Sequence, residues 1–391
     1  MNLFNYINYN FTFNFFQKRT IHPFYQTIHN KITNQKFTNS DFEGAAIIKN
    51  KIHEIKFIPE FFQLEYPELT APYKVIEFKR VENFSINIDR YKTVEEFLKS
   101  QMGPKSRSQL RRRIHRLENC FKVSYKFFYG EISKDEYNLL FKTMEKFIEQ
   151  RFKQRQDLFS LNNHFDDIKQ HAYEMILEKK ASLFVIYANS KPIDVCLSYH
   201  FQNIMHHLIR SYDIDYSKFW IGQIDIYKQV EWCIANNFTI FDLMWGELVY
   251  KKRWCNSTLL YRHHFIYKST NPTKRIFVLL LISLYKLHDW LKEKKPYKWA
   301  KTLKESTFND MLNEKTLLNI KTENIQNQPP IKNLIKIDIE TEEFSFLRKP
   351  TFDFQYLNFD TTENTTVFQL KNKENSFIIK GSKQQTIITV T

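Results

Sequence analysis

The chain has 391 residues, 42% of them hydrophobic and 26% charged, with Phe 37 and Tyr 21, a balance that builds a globular core and excludes disordered and collagenous classes. It carries only 6 glycines, Gly44, Gly103, Gly130, Gly222, Gly246 and Gly381, where average usage would supply roughly 27. No two lie close enough for a G-x-G-x-x-G or Walker A loop, so the glycine-rich phosphate cradles are excluded.

Net charge is +15, and part of it is concentrated. Lys105, Arg107, Arg111, Arg112, Arg113 and Arg116 follow one another with no acidic residue between them. Such a cluster suits phosphates of nucleic acid, lipid or a phosphorylated cofactor, and equally makes a solvated helix face. Cys120, Cys196, Cys233 and Cys255 are scattered, with no C-x-x-C pair and no H-E-x-x-H anywhere, so the sequence implies no metal and buried thiols in a reducing compartment. The aromatic, Asn-rich N-terminus lacks the basic start and small-residue cleavage site of a signal peptide. The longest uncharged apolar run, Ile276 to Tyr285, is half of the roughly 20 residues that a membrane span needs. A soluble, cytoplasmic protein without a transmembrane span is the expectation.

Taken in chain order, residues 1–40 show no period and are expected as a poorly ordered lead-in. Residues 41–93 hold short β-favouring runs between Pro59, Pro67 and Pro72 and predict a small β-rich N-terminal lobe. A basic connecting helix over 94–120, interrupted at Gly103-Pro104, places Leu110, Ile114, Leu117 and Phe121 on one face and the arginines on the other. Ser133-Lys134-Asp135-Glu136 is a capping box that launches Tyr137, Leu140, Phe141, Met144, Phe147 and Ile148 at helical spacing. A second helix is predicted from about Asn163 to Lys179. Strands at 183–188, 193–201 and 204–213, separated by turn residues, read as an antiparallel meander. After Gly222 a helix runs to Asn236-Asn237, followed by strands at 239–245 and 259–268 around a short ELVYKKRW turn. With the strand at 121–129, the order over 121–268 is β-α-α-β-β-β-α-β-α-β. A helical extension follows over 269–326, and 327–391 is expected as a β-rich or disordered tail.

This element order resembles the GNAT superfamily of acyl-CoA N-acyltransferases. The stretch SYDIDYSKFWIGQIDIYKQVEWCIANNFTIFDLMWGELVYKKRW (211–254) is similar to the CelD/BcsL-type branch, the cellulose-biosynthesis acetyltransferase-like proteins, through Asp213, Gly222, Phe241, Asp242, Leu243, Gly246, Tyr250, Lys251 and Trp254. The resemblance covers about residues 95–268. It implies an α+β fold with a mixed central sheet flanked by helices, and acetyl-CoA or another acyl-CoA as co-substrate. A helix N-terminus at Ile221, Gly222, Gln223 and Ile224 could hold a diphosphate without a glycine-rich loop.

By the same resemblance a backbone amide near Ser211, Tyr212 and Asp213 would polarise the thioester carbonyl. Glu247 is the candidate base and Tyr250 the candidate acid, each also readable as a helix-end or packing residue. Asp242, alternating with Phe241 and Leu243, is expected to face a cleft and bind an amine or anchor Lys251, Lys252 or Arg253. Lys251, Trp254 and Arg112 are candidate substrate or phosphate contacts. His206 and His207 read more readily as core histidines.

Three functions fit the sequence. The first is transfer of an acyl group from acyl-CoA to an amine, for example an amino sugar or envelope polysaccharide precursor. The second is a FemAB-like transfer from aminoacyl-tRNA, with the arginine helix on RNA phosphates. In the third, the fold survives as an inactive binding module, docked by its arginines and its apolar helix at 276–291 to an anionic membrane or a partner.

Overall fold

The protein is described by a computed structural model over residues 5–66, 73–155, 159, 161–245, 249–293, 320–324, 333–371 and 373–390. Its centre is a nine-stranded mixed sheet in the order β1 (Tyr6–Asn10), β4 (Ile52–Pro59), β12 (Ser257–Lys268), β6 (Tyr73–Asn87), β11 (Ile240–Trp245), β10 (Ile204–Tyr212), β9 (Lys191–Phe201), β8 (Ala181–Ala188) and β7 (Val123–Phe128). The β8–β9–β10 meander is antiparallel as expected, and its first turn uses Asn189 and Ser190 at φ 49° and 65°, the left-handed values that a tight hairpin requires. β10 and β11 run parallel, joined by a helical crossover.

Helices cover both faces. On one, α4 (Lys134–Arg155) and α5 (Phe165–Leu177) bury Tyr137, Leu140, Phe141, Met144, Ile168 and Ile176 against Leu183, Val185, Val195 and Leu197. The capping box works as predicted, with Ser133 Oγ accepting from the Glu136 amide at 3.2 Å. On the other face lie α2 (Val94–Gln101), α3 (Pro104–Cys120) and α6 (Ile221–Ala235), whose Leu110, Leu117, Ile221, Ile224 and Val230 meet Phe184, Ile186, Cys196 and Met205. Gly103-Pro104 separates α2 from α3, with Pro104 at the first helical position, where its missing N–H costs nothing.

Two expectations change. Residues 5–40 are not a loose lead-in: they form β1, a single turn α1 (Phe11–Phe13), a π-turn (Asn14–Lys18), β2 (Thr27–Asn30) and β3 (Gln35–Thr38). Phe11, Phe15, Phe16, Phe24, Tyr25 and Ile28 are buried in the largest core. So many short elements follow one another that no single period survives in the sequence. The β-rich stretch at 41–93 is no separate lobe either. β4 and β6 enter the central sheet, with β6 inserted between β12 and β11, while β2, β3 and β5 (Phe62–Glu65) make a small second sheet.

The tail takes the β-rich alternative. β13 (Ile320–Asn324), β14 (Leu334–Ile337), β15 (Thr366–Leu370), β16 (Lys373–Lys380) and β17 (Gln385–Val390) make a five-stranded sheet. A helix, α9 (Arg348–Asn358), docks this unit on the main body through Phe352 and Tyr356 against Phe121, Tyr216 and Phe219. Arg348 anchors the same contact, 2.5 Å from Asp213 and 3.1 Å from Asp215.

Candidate active site

β10 and β11 pair only from Ile204 opposite Ile240 to His206 opposite Asp242. Beyond that point Met244 turns into the left-handed region at φ 62°, and β11 shifts register against β6. Among the described residues, the remainder of β10, from His207 through a bulge to Tyr212, is therefore left without a parallel neighbour. Over this open end sits a cavity of about 440 Å³ lined by Arg151, Arg210, Tyr212, Ser217, Trp220, Ile221, Gly222, Gln223, Tyr250 and Arg253.

Three of its described lining residues are arginines and none is acidic. Arg210, on the unpaired end of β10, reaches across to α6, where its Nε donates to Asp225 at 2.5 Å. Burial opposes its charge, but Asp225, Tyr250, Cys196 and Asp194 around it hold its pKa above the ordinary arginine value. Burial and the neighbouring Asp225 push the Asp194 pKa well up, with Arg210 opposing them. Arg151 projects from α4 with its guanidinium 4.4 Å from the Tyr212 ring centroid. Arg253 comes from α7 (Val249–Trp254) and lies 5.7 Å from the Trp220 ring, with Arg113 of α3 at 4.2 Å from that same ring.

The first turn of α6 closes the cavity floor. Trp220 precedes it at φ 63° and its carbonyl takes the Gln223 and Ile224 amides, while Ile221 and Gly222, as first-turn residues, have N–H groups with no intrahelical acceptor. A Cβ on Gly222 would lie 2.5 Å from Arg210 Nη2. The glycine thus admits the guanidinium to the helix end and joins its charge to the helix dipole. An oxyanion or diphosphate is the natural ligand of such a site.

The structure brings together Tyr212, Ile221, Gly222, Gln223 and Tyr250 of the expected residues. Ile224 lies behind them in the core. Ser211 and Asp213 point elsewhere: the Ser211 hydroxyl donates to the Val195 carbonyl at 2.7 Å, and Asp213 pairs with Arg348. The Asp213 amide is spent on Ile193 at 2.9 Å, so it is no oxyanion donor. Gln223 accepts from the Trp254 indole at 2.8 Å. Trp254 itself is fully buried between α2 and α6, which corrects its assignment as a contact. Lys251 is buried too, donating to the Met244 carbonyl at 3.0 Å, and burial lowers its pKa to about 8. Glu247 and Gly246 lie outside the described residues.

Asp242 is a further correction. It does not face a cleft: it is 1% exposed and accepts from Asn83 (2.8 Å), His206 Nδ1 (2.8 Å), the Met244 amide (2.7 Å) and Tyr261 (3.2 Å). Burial would raise its pKa, but His206 and these donors hold it below the ordinary value. Alternation correctly turns it away from Phe241. The N-terminal segment, with Phe16 stacked on His206 at 4.6 Å, covers the face to which it turns. His206 and His207 are both buried, as core histidines.

The basic helix is mostly engaged by the protein. Arg107 donates to the Met102 carbonyl at 2.7 Å, Arg111 pairs with Glu95, Arg113 with the Lys218 carbonyl and Arg116 with that of Tyr356. Lys105 and Arg112 face solvent. Arg112 is not among the cavity's lining residues; its neighbour Arg113 is the one turned toward Trp220. Arg151, Arg210 and Arg253 were missed in the sequence. The signal for Arg210 is a lone arginine in an apolar strand, matched by Asp225 on the inward side of α6. A Cys196, His207 and Asp225 ligand atom each lie within 4.8 Å of the others, but Asp225 already has its cation in Arg210.

Residues 104–252 match the family model described as acetyltransferase (GNAT) domain, a span that runs from α3 into α7 and includes every residue lining the cavity except Arg253. None of the curated proteins matches the sequence. Similar solved structures include FemX, at 12% identity over 59% of this chain and 75% of that one, with a TM-score of 0.41. A conserved protein of unknown function from Bacteroides thetaiotaomicron shares 9% identity over 57% and 72% of the two chains, with a TM-score of 0.39. A tandem GNAT protein from the clavulanic acid biosynthesis pathway shares 7% over 60% and 74%, with a TM-score of 0.30. Residues 104–252 are thus similar to an acetyltransferase domain of the GNAT class, which gives an α+β GNAT fold and supports an acyltransferase.

Proposed function

We propose that the protein transfers an acyl group from an acyl-CoA to an amine, with the coenzyme diphosphate held at the first turn of α6. The observation that supports this is that Arg151, Arg210 and Arg253 line one cavity with Ile221 and Gly222 of the helix start, with no acid among its described lining residues. The open end of β10 beside it offers unpaired strand edge to the amides of a pantetheine arm. Orienting the thioester and the amine side by side removes a large part of the barrier, about 7–11 kcal/mol in well-oriented cases.

The amine nitrogen attacks the thioester carbonyl, the C–S bond breaks, and Tyr250, on the cavity wall with the Arg210 guanidinium 4.8 Å from its ring, gives its proton to the departing thiolate. Glu247 is the proposed acceptor of the amine's proton. Asp242 and Lys251 hold Met244 at the end of β11, and Trp254 ties α7, which carries Tyr250, to Gln223 of α6. The similarity of residues 211–254 to the CelD/BcsL-type branch supports an amino sugar or envelope polysaccharide precursor as acceptor.

Thermal unfolding with acetyl-CoA and longer acyl-CoA thioesters tests the donor. Ligand at about 100 times its Kd adds roughly 2.7 kcal/mol. The shift should vanish in Arg253→Ala, an exposed position whose loss leaves the core intact, and in Gly222→Glu, which puts a carboxylate where the diphosphate would lie. No shift with any thioester, together with salt-sensitive tRNA binding, would replace this reading with the tRNA-dependent one. Free-thiol release with amino-sugar acceptors tests the second substrate.

A further inference from the structure

Helix α8 (Pro272–Glu293) is apolar on two sides. Its inner side packs Val278 and Ile282 onto Ile52, Phe265 and Tyr267 of the central sheet. Its outer side leaves Ile276 58%, Leu279 46%, Leu280 58%, Leu284 59% and Leu287 51% exposed. The spacing 276, 280, 284, 287 sets these side chains in one stripe along the helix. A continuous apolar stripe of this kind marks an interaction surface.

Charge identifies what lies on it. Arg275 and Lys286 are exposed on the same helix, and the chain continues through Lys292, Lys294, Lys295, Lys298, Lys301 and Lys304 with Glu293 as the sole acid between Lys292 and Lys304. Two copies meeting side by side in parallel through α8 would bring two such lysine runs together, which like-charge repulsion opposes. A surface of negative charge with an apolar interior answers both features. No described helix is long and apolar enough to cross a membrane.

We propose that α8 lies flat on an anionic lipid bilayer, its leucine stripe among the acyl chains and the following lysines over the headgroups. Neither signal holds a protein firmly by itself; the apolar stripe and the polybasic run together do. The lysines supply attraction that salt screens, and the leucines supply attraction that salt leaves intact. This inference is independent of the acyl-transfer reading.

Flotation of the full chain with vesicles of phosphatidylcholine, with and without phosphatidylglycerol, tests it. The protein should float with the anionic vesicles, weakly with the neutral ones, and less as salt rises. Leu280→Glu with Leu284→Glu should weaken partitioning by about tenfold or more, with an unchanged circular dichroism spectrum because both side chains are exposed. Lys294→Gln with Lys295→Gln should weaken it by about fivefold per charge. Absence of flotation with anionic vesicles, equal flotation with neutral ones, or an unaltered double-leucine variant overturns the proposal. A dimer that the double-leucine variant splits, without vesicle binding, would assign the face to a second copy instead.

Discussion

Replacing Gly222 by alanine reports directly on the arrangement at the cavity floor. In an ordinary helix the change stabilises by up to about 1 kcal/mol. Here the new Cβ would stand 2.5 Å from Arg210 Nη2, 3.2 Å from its Cζ and 3.3 Å from Tyr212 Cε1. The guanidinium is the softest of these neighbours, but it can swing away only by giving up Asp225, 2.5 Å from its Nε in a buried pair. Losing one partner of a buried pair costs about 3–5 kcal/mol. Set against the helical gain, Gly222→Ala should lose about 2–4 kcal/mol, a large share of the roughly 5–15 kcal/mol of a whole domain.

Urea unfolding followed by far-UV circular dichroism measures this. The companion variant is Arg210→Gln, in which the obstructing guanidinium is absent. In that background Gly222→Ala should be neutral or mildly stabilising, so the double-mutant cycle shows a coupling of about 2–3 kcal/mol. Wild-type stability or better in the single Gly222→Ala variant would refute the pinned guanidinium and with it the reason for a glycine here.

Asp242→Ala should cost about 3–5 kcal/mol, because it strands His206, Asn83, Tyr261 and the Met244 amide together; a stability loss below about 1 kcal/mol with abolished turnover would instead return the carboxylate to a cleft. Burial holds His22 and His200 down to about 3 and His53 to about 4. These imidazoles stay neutral in the fold while the unfolded chain takes up protons below pH 6.5, so stability falls as pH drops from 6.5 toward 4. At pH 5 each contributes a loss of about 2 kcal/mol, and urea midpoints should therefore fall steeply between pH 6.5 and 5; a flat profile there contradicts their burial.

Burial and Asp213 raise Asp215 to about 6, with Arg348 pulling it back. Its contribution is present below pH 3.8 and lost as pH rises through 6, so Arg348→Met should destabilise more at pH 7 than at pH 5, by about 2 kcal/mol. Equal losses at the two pH values would remove Arg348 from that role. Lys251, lowered to about 8 by burial, has the opposite alkaline sense: stability gains as pH rises from 8 toward 10.5, a limb that Lys251→Met should flatten in urea titrations.

Elements with a strong local period were legible. The α4 capping box, the three-strand meander and the helix after Gly222 each repeat one spacing over enough residues to stand out. Ile221, Gly222 and Gln223 follow from the unpaired amides of a helix start, and Tyr212 and Tyr250 from the resemblance to the GNAT superfamily; all five line the cavity. Arg151, Arg210 and Arg253 were not legible, since they come from three separate elements and carry no common spacing. Trp254 and Asp242 were misplaced for a related cause: their exposure depends on segments distant in the sequence, α2 in one case and residues 11–16 in the other.

By itself, then, the amino-acid order determined that no glycine-rich cradle exists, that the middle of the chain alternates strands and helices in a GNAT-like order, and that one glycine opens the helix after β10. These are local properties, written in composition and in periods of two and 3.6 residues. Only the tertiary structure decided what surrounds that glycine. The divergence of β10 from β11, the guanidiniums gathered from α4, β10 and α7, and the cover laid by residues 5–40 all arise from contacts between segments far apart in the chain. Charge and burial at a site depend on those neighbours, and no local pattern records them.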